Sequence, residues 1–228
     1  MKKTIVSFIA TATVFTISTA NAQDHTSKNH TTWMTKTTFG VRAGINFQNI
    51  NGKDVDGNKL NYSLIPGFNA GVNVEIPMAK DFYLQPGLLI TTGGAKYDDT
   101  KTAHLVYLQV PVNFVYKPAL GMGHLIAGFG PYIDFGLGGK IKYSGSGTDH
   151  DVRFKNAVTV SDDDSYAYYK RVGAGANVLF GYEFANKLSF QLNAQLGLTN
   201  IYPTYDDNSA SKSTAKNTGF GISAGYRF

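Results

Sequence analysis

The sequence contains no cysteine among its 228 residues, so a disulfide framework is excluded as the source of its stability. It also lacks a strong net charge, because it has 21 basic and 16 acidic residues, and no cluster of Lys and Arg stands out along the sequence. This balance gives no indication of a nucleic-acid partner. Leu and Ala are not enriched as in a helical protein. Glycine (25 residues), Tyr (14) and Phe (15) are abundant, which suits strands with tight curvature.

The first 22 residues have the layout of a secretory signal peptide. Lys2 and Lys3 follow Met1, an apolar stretch spans about 5–17, and Ala20-Asn21-Ala22 supplies a cleavage site before Gln23. The apolar stretch is shorter than the roughly 20 residues of a spanning helix and contains Thr and Ser, which disfavours a membrane anchor. Because no cysteine follows the cleavage site, a lipid-anchored lipoprotein is excluded.

Period-two alternation dominates the rest of the chain. Residues 23–36 are polar and aperiodic and are interpreted as a flexible lead-in, but from Thr37 apolar and polar residues alternate. In the first segment Phe39, Val41 and the alternate residues after them are apolar, whereas those between are Gly, Asn, Gln or Arg. Seven further segments repeat the pattern. Residues 37–228 are therefore predicted to form one all-β domain.

The composition of the two faces separates a membrane barrel from a soluble one. Bulky apolar residues fill one face, while the other is rich in glycine and carboxamides, which suits a narrow, crowded interior. A soluble sandwich or lipocalin would instead bury its bulky faces together. In hydrocarbon every backbone polar group needs a partner, so only a closed barrel can span. We predict an eight-stranded antiparallel transmembrane up-and-down β-barrel in a bacterial outer membrane; a secreted soluble barrel is the alternative.

The connections between the predicted strands alternate in length. Short ones are expected at Met78–Asp81, Pro118–Gly123 and Ala185–Lys187. Long ones are expected at Asn51–Tyr62, Tyr97–Ala103, Ser144–Tyr168 and Pro203–Lys216. Short turns on one side and long loops on the other are the asymmetry of outer-membrane barrels, and an even number of strands places both termini, with the lead-in, on the short-turn, periplasmic side.

Aromatic residues near the strand ends predict two interfacial girdles. The short-turn girdle comprises Phe39, Phe82, Phe114, Tyr116, Tyr182, Phe184, Phe190, Tyr226 and Phe228, and the long-loop girdle Phe47, Tyr143, Tyr168, Tyr169 and Tyr202. Phe228 also ends the chain. A terminal aromatic is a common assembly signal of such barrels, so the assembly machinery of the outer membrane and its lipid are the expected partners.

The segment Tyr107-Leu-Gln-Val-Pro-Val-Asn-Phe-Val-Tyr116 resembles the Y-L-E-I-P-L strand of the outer-membrane β-barrel family common in Bacteroidetes, to which PorT-like proteins belong. Further likenesses are Phe39-Gly-Val-Arg-Ala-Gly-Ile-Asn46, Leu84-Gln-Pro-Gly-Leu88, Gly128-Phe-Gly-Pro-Tyr132 and Gly225-Tyr-Arg-Phe228. Gln109 stands where the family often has Glu, so a usual lumen charge is absent. The resemblance implies an eight-stranded barrel over residues 37–228; PorT-like members take part in protein secretion, but most of the family has no assigned activity.

Six charged residues are predicted to share the interior of the barrel, namely Arg42, Arg171, Arg227, Glu75, Asp134 and Glu183. They suit either a pore lining or proton path, or a salt-bridged structural interior. An eight-stranded interior is only just wide enough to be filled by side chains, and three cations balance three anions. Since an unpaired buried charge is costly, we favour the structural polar network.

Catalysis and metal binding have weaker support. His104 and His150, with Ser144, Ser146, Asp149 and Asp151, supply residue types for a lipid-modifying enzyme, but no nucleophile motif surrounds them. His25, His30, Asp162–Asp164 and Asp206-Asp207 lack the spacing of a calcium loop. We predict no catalytic residue, cofactor or metal.

The loop at 144–168 is the best candidate for contact with a surface protein or ligand. The tyrosines at its end, Tyr166, Tyr168 and Tyr169, suit recognition of a partner above a rigid barrel. The alternative, that they belong to the long-loop girdle, is the favoured interpretation. The favoured function is a non-catalytic barrel with a filled lumen and a role in surface interaction, structure or secretion. A narrow channel for small solutes and a lipid-modifying enzyme are the alternatives.

Overall fold

The computed structural model describes residues 36–54, 56–144, 147–159, 161–163, 165–205 and 213–228. The predicted signal peptide (1–22) and all but the last residue of the predicted lead-in (23–36) lie outside them. In chain order the described strands are β1 (Thr38–Lys53), β2 (Ile65–Ala79), β3 (Phe82–Lys96), β4 (Lys101–Tyr116), β5 (Ala119–Leu120), β6 (Gly123–Tyr143), β7 (His150–Phe154), β8 (Ala157–Val158), β9 (Ala167–Tyr169), β10 (Val172–Glu183), β11 (Leu188–Gly197), β12 (Thr204–Tyr205) and β13 (Thr214–Arg227). Within the same residues, no helix is long and apolar enough to cross a membrane.

Eight of these strands close into an antiparallel barrel. Each pairs with the next one along the chain in the order β1, β2, β3, β4, β6, β10, β11, β13, and β13 pairs with β1 to complete the ring. The closing ladder runs from Gly40↔Arg227 to Lys53↔Thr214. The predicted eight-stranded up-and-down barrel is confirmed, and closure leaves no open sheet edge among the spanning strands.

The two faces of the wall differ as the alternation predicts. Outward side chains are large and apolar, and Phe39 and Leu192 expose 62% and 58% of their surface. Inward side chains are mostly polar and tightly packed, and Gln85 and Asn113 expose only 2% and 1%. A belt of exposed Phe, Leu, Ile and Val around a polar interior is the reverse of a water-soluble barrel, and it requires hydrocarbon outside.

The turns at one end of the barrel are short, and this end is called the short-turn end below. Only Lys80 and Asp81 separate β2 from β3, and Asp81 adopts a φ of 61°, a left-handed conformation that Asp tolerates better than most residues. The turn between β10 and β11 also contains a left-handed residue, Lys187, with a φ of 67°. The opposite end, with the longer connections, is called the long-loop end.

Two of the predicted long loops differ from the structure. The segment Tyr97–Ala103 is mostly a hairpin, because β3 and β4 continue to Lys96 and Lys101 and leave four residues between them. The backbone N–H of Thr100 donates to the Asp98 carboxylate at 2.7 Å and closes the turn. The segment Ser144–Tyr168 contains the short strands β7 and β8 and most of β9. In both cases polar surface residues suggest a loop although the backbone remains paired.

Candidate functional site: the filled lumen and the outer cleft

A buried charge cluster fills the lumen at the short-turn end. The Lys117 ammonium lies 2.9 Å from a Glu75 carboxylate oxygen and 2.8 Å from a Glu183 oxygen. The Arg227 guanidinium donates to Glu75 at 2.7 Å and to the Asn73 side chain at 2.6 Å. All four charged side chains are buried. Two cations and two anions balance each other in charge, as a low-dielectric interior requires, while Arg227 Nε has no hydrogen-bond partner among the described residues.

Three of the six charged residues predicted in the lumen, Glu75, Glu183 and Arg227, meet in this cluster. Sequence reasoning missed Lys117, which lies between the predicted fourth strand and the predicted turn at Pro118–Gly123. Every second residue continues to face the lumen through Asn113, Val115 and Lys117, all of which are buried, so the alternation extends one residue beyond the end of β4. This alternation was the one indication in the sequence that Lys117 lies in the lumen.

Asp134 lies farther along the lumen and has no cationic partner among the described ion pairs. Its carboxylate accepts a hydrogen bond from the Gln109 amide at 2.9 Å. The Gln109 oxygen accepts from Gln195 at 2.9 Å, and the Gln195 oxygen accepts from Gln48 at 3.4 Å. These side chains form a continuous row of amides across the middle of the barrel. Gln109, which replaces the acid usual in the resembling family, acts here as donor and acceptor at once.

Arg42 borders a small cavity in the same middle layer of the lumen. The cavity has a volume of about 20 Å³, lined also by Asn46, Gln48, Thr91 and Gln195. It has room for a single water molecule. Within the described residues the Arg42 Nε has no hydrogen-bond partner. Arg42 and Asp134 therefore lie apart from the charge cluster.

Arg171 differs from its predicted place in the lumen. It is exposed, and its guanidinium lies 6.0 Å from the centre of the Phe154 ring, a residue of β7. The residue precedes β10, and its carbonyl accepts a hydrogen bond from Gly136 N at 2.7 Å. At the long-loop end the barrel wall continues beyond the belt of lipid-facing residues. Arg171 occupies an inward-facing position of the alternation, but at this height its side chain lies among the outer loops and not in the polar interior.

An apolar cluster closes the lumen at the long-loop end. Strand residues and loop residues build it together, and its buried members are Ile50, Ala95, Ala103, Leu105, Tyr107, Ile141, Val152, Tyr169, Ile201 and Ala215. Val152 and Tyr169 come from β7 and β9, so the long connection folds inward over the mouth. Tyr169 is only 3% exposed, which corrects its assignment to the lipid-facing girdle. The burial of these side chains leaves no wide opening in the described residues at this end.

The outer loops are held in place by backbone pairing. β7 continues the wall by pairing with β6 at Lys140↔Asp151, and β9 pairs parallel to β7. β8 pairs parallel to β12, which belongs to a different loop. Lys170 N also donates to the Ile201 carbonyl at 2.8 Å. Such pairing between separate loops gives a fixed surface above the barrel.

A cleft of about 580 Å³ opens in that surface. Its eleven lining residues include six tyrosines, namely Tyr62, Tyr97, Tyr166, Tyr168, Tyr169 and Tyr202. The rings of Tyr62 and Tyr97 meet edge to face with their centres 4.4 Å apart, and those of Tyr169 and Tyr202 are 6.2 Å apart. The hydroxyls of Tyr97 and Tyr169 are hydrogen-bonded to each other. Sequence reasoning singled out Tyr166, Tyr168 and Tyr169, but not the tyrosines that other segments bring to the cleft.

Burial raises the pKa of two phenols of the cleft. It raises the pKa of Tyr97 to about 12, and it raises the pKa of Tyr169 well above its usual value. Both residues lie outside the spanning strands. At physiological pH these two side chains therefore offer neutral hydroxyl groups, which both donate and accept hydrogen bonds.

The residues weighed for catalysis are engaged separately. The Asp149 carboxylate accepts from Tyr143 N at 3.1 Å, and Asp151 lies 3.6 Å from the Lys140 ammonium. The His150 ring packs near the Tyr143 ring, with centres 5.4 Å apart, while His104 is exposed on the outside of β4. Ser144 is exposed too, and Ser146 lies outside the described residues. No hydrogen bond between described residues joins either histidine to a Ser or Asp.

The residues weighed for metal binding have other contacts or lie outside the described ranges. Asp162 pairs with Lys155, and the Asp163 carboxylate accepts from Ser165 N at 2.9 Å. Contact with Lys155 keeps the pKa of Asp162 below its usual value. His25, His30, Asp164 and Asp206-Asp207 lie outside the described residues. Across the described ranges, no three His, Asp or Glu side chains come together as a metal site.

A closed ring of antiparallel strands, an apolar outer belt and a polar, filled interior define a transmembrane β-barrel of the outer-membrane type. The family model of the outer membrane protein beta-barrel domain matches residues 21–202 of this chain. The chain belongs to that family, and it is a protein of the bacterial outer membrane. No curated protein matches it in sequence.

Solved structures with a similar arrangement are distant in sequence. Ail, the attachment invasion locus protein of Yersinia pestis, crystallised with the heparin analogue sucrose octasulfate, is 17% identical; the match covers 85% of this chain and 100% of Ail with a TM-score of 0.42. The outer membrane protein OprG from Pseudomonas aeruginosa is 14% identical, with 84% of this chain and 95% of OprG covered and a TM-score of 0.38. At these values neither likeness carries a ligand or an activity over to this chain.

Proposed function

We propose that this protein is a non-catalytic outer-membrane barrel whose paired outer loops form a recognition surface. The observation that carries the proposal is the cleft of six tyrosines, which separate parts of the chain assemble above a closed lumen. The loops fold over the mouth and pair with one another through β7, β8, β9 and β12. A surface fixed in this way suits the binding of a partner outside the cell.

A narrow channel is the second candidate, and the lumen gives it less support. Two cavities that described residues line within the polar layer have volumes of only about 20 and 10 Å³. Above them lie the buried side chains of the apolar cluster, including Leu105 and Ile141. A hydrated path would have to displace these side chains from contact with each other. We therefore place the function at the outer surface rather than in the interior.

Single-channel recording in planar bilayers tests this choice. The purified barrel, inserted beside a porin as a positive control, is expected to show no persistent open state. A stable conductance with the loops intact would contradict the filled lumen and favour the channel. A variant with residues 147–163 replaced by a short turn lacks β7 and β8 at the mouth. Its conductance is compared with that of the intact barrel.

Three finer points belong to the same proposal. The similarity of Tyr107–Tyr116 and the other motifs supports a PorT-like, Bacteroidetes origin and leaves a secretion-accessory role open. Removal of residues 1–22 by a signal peptidase is expected, and the mass of the protein isolated from membranes would reveal it. The outward, C-terminal position of Phe228, which is 64% exposed, suits recognition by the assembly machinery.

A further inference from the structure

The lining of the outer cleft is rich in aromatic residues but is not purely hydrophobic. Tyrosines supply six of its eleven residues, whereas its aliphatic residues are Ile141, Val158 and Ala167. A tyrosine side chain combines an apolar ring face with a hydroxyl that donates and accepts hydrogen bonds. Within the cleft the Tyr97 and Tyr169 hydroxyls bond to each other, and the Tyr168 hydroxyl donates to the Asp163 carbonyl and keeps its capacity to accept. The volume of about 580 Å³ lies within the range of roughly 300–1,000 Å³ typical of small-molecule sites.

The charges of the cleft argue against an ionic ligand. Among its lining residues only Asp98 and Lys101 are charged, and their charges are opposite. The Lys101 ammonium already lies 5.3 Å from the centre of the Tyr97 ring, and the Arg153 guanidinium lies 3.4 Å from that of Tyr166. Since these rings already interact with cations, a cationic ligand would meet repulsion there. A polyanion would find only Lys101 as a cation among the lining residues, because the Arg153 guanidinium is stacked against the Tyr166 ring.

We propose that the cleft binds a neutral oligosaccharide. The C–H face of a sugar ring carries partial positive charge and is apolar, so it packs on the negative face of an aromatic ring. Sugar hydroxyls both donate and accept hydrogen bonds, and they match the phenols that line the site. A neutral oligosaccharide combines apolar faces, many hydroxyls and zero charge, as this lining requires.

This inference rests on the proposed recognition function and narrows it to one chemical class. The test uses the full barrel in detergent micelles, applied to an array that carries neutral, sialylated and sulfated oligosaccharides side by side. Calorimetry then measures the affinity of the best neutral oligosaccharide for the wild type and for three variants. Tyr62→Ala and Tyr168→Ala remove ring faces from the cleft, and Tyr116→Ala removes an exposed ring from the opposite end of the barrel as a matched control.

We expect binding to neutral oligosaccharides, and an affinity about tenfold lower or worse in each cleft variant, which corresponds to one stacked ring. The Tyr116→Ala variant is expected to bind as the wild type does. Binding to none of the sugars, binding confined to sialylated or sulfated ones, or equal affinity in all variants would overturn the proposal. Faster migration of unboiled samples on a denaturing gel verifies that each variant is folded. Single-channel recording of the same preparations tests the proposed function separately. If no sugar binds and no conductance is seen, only the oligosaccharide proposal is rejected, and the non-conducting recognition barrel stands.

Discussion

Removal of the Lys117 ammonium is expected to destabilise the barrel strongly. Among the described residues this side chain is the only cation within 3 Å of Glu183, because Arg227 Nε is 4.0 Å from the same carboxylate. Glu75 would keep Arg227 at 2.7 Å. The variant Lys117→Met therefore leaves one buried carboxylate without a close partner. Breaking a buried pair in this way typically costs about 3–5 kcal/mol, and we expect the free energy of unfolding to fall by that amount.

Two further variants separate charge from packing. Lys117→Met with Glu183→Gln leaves the Glu75–Arg227 pair intact and removes the unpaired charge, so it should recover to within about 1–2 kcal/mol of the wild type. Lys140→Met breaks a half-exposed pair with Asp151 and should cost about 1 kcal/mol or less. It is the matched Lys-to-Met control outside the lumen.

Urea unfolding in phospholipid vesicles, read from the mobility of unboiled samples on gels, gives the free energies of unfolding of all four proteins. The reasoning would be refuted if Lys117→Met were no less stable than Lys140→Met. It would equally be refuted if the double variant were as unstable as Lys117→Met alone, because the loss would then come from packing and not from the unpaired carboxylate.

Three other predictions follow from the belt, the terminus and the cleft. Leu192→Arg, on the lipid side near the middle of β11, should cost about 2–4 kcal/mol in vesicles, whereas a cost near zero would place this residue away from hydrocarbon. Deletion of Phe228 should lower the amount of folded barrel in cells but leave refolding into micelles nearly unchanged, and equal losses in both would reject a role as assembly signal. Because burial raises the pKa of Tyr97 from 10.0 to about 12, the folded loops hold this proton while the unfolded chain loses it, so their stability should decline as pH rises from about 10 to 12. Phenolate absorbance should show a late-titrating group that is missing in Tyr97→Phe.

The barrel itself was predictable because one physical constraint repeats along every strand. Lipid outside and a narrow lumen inside impose opposite demands on alternate residues, and residues such as Phe39 and Gln85 obey them in the sequence as in the structure. Strand ends were harder. Lys117 looks like a turn residue beside Pro118, and only its inward parity places it between Glu75 and Glu183.

The outer cleft depends on contacts that no local pattern encodes. Tyr62, Tyr97, Tyr169 and Tyr202 belong to different connections and meet only because those connections pair above the mouth. The inward turn of Tyr169 follows from its place in β9, beside β7, and not from its neighbours in sequence. The sequence of the loops indicates recognition in general terms, but the site exists only in three dimensions.

Spin labels along β13 test the central claim most directly. The chain has no cysteine, so Ile222→Cys and Ser223→Cys each give a single labelled position on opposite faces of the same strand. Ile222 is 46% exposed and Ser223 only 2%. In vesicles, we predict frequent collisions with oxygen dissolved in the lipid at position 222 and few collisions with oxygen or a water-soluble nickel complex at position 223. Lipid contact at 223 together with protection at 222 would contradict an apolar belt around a filled lumen.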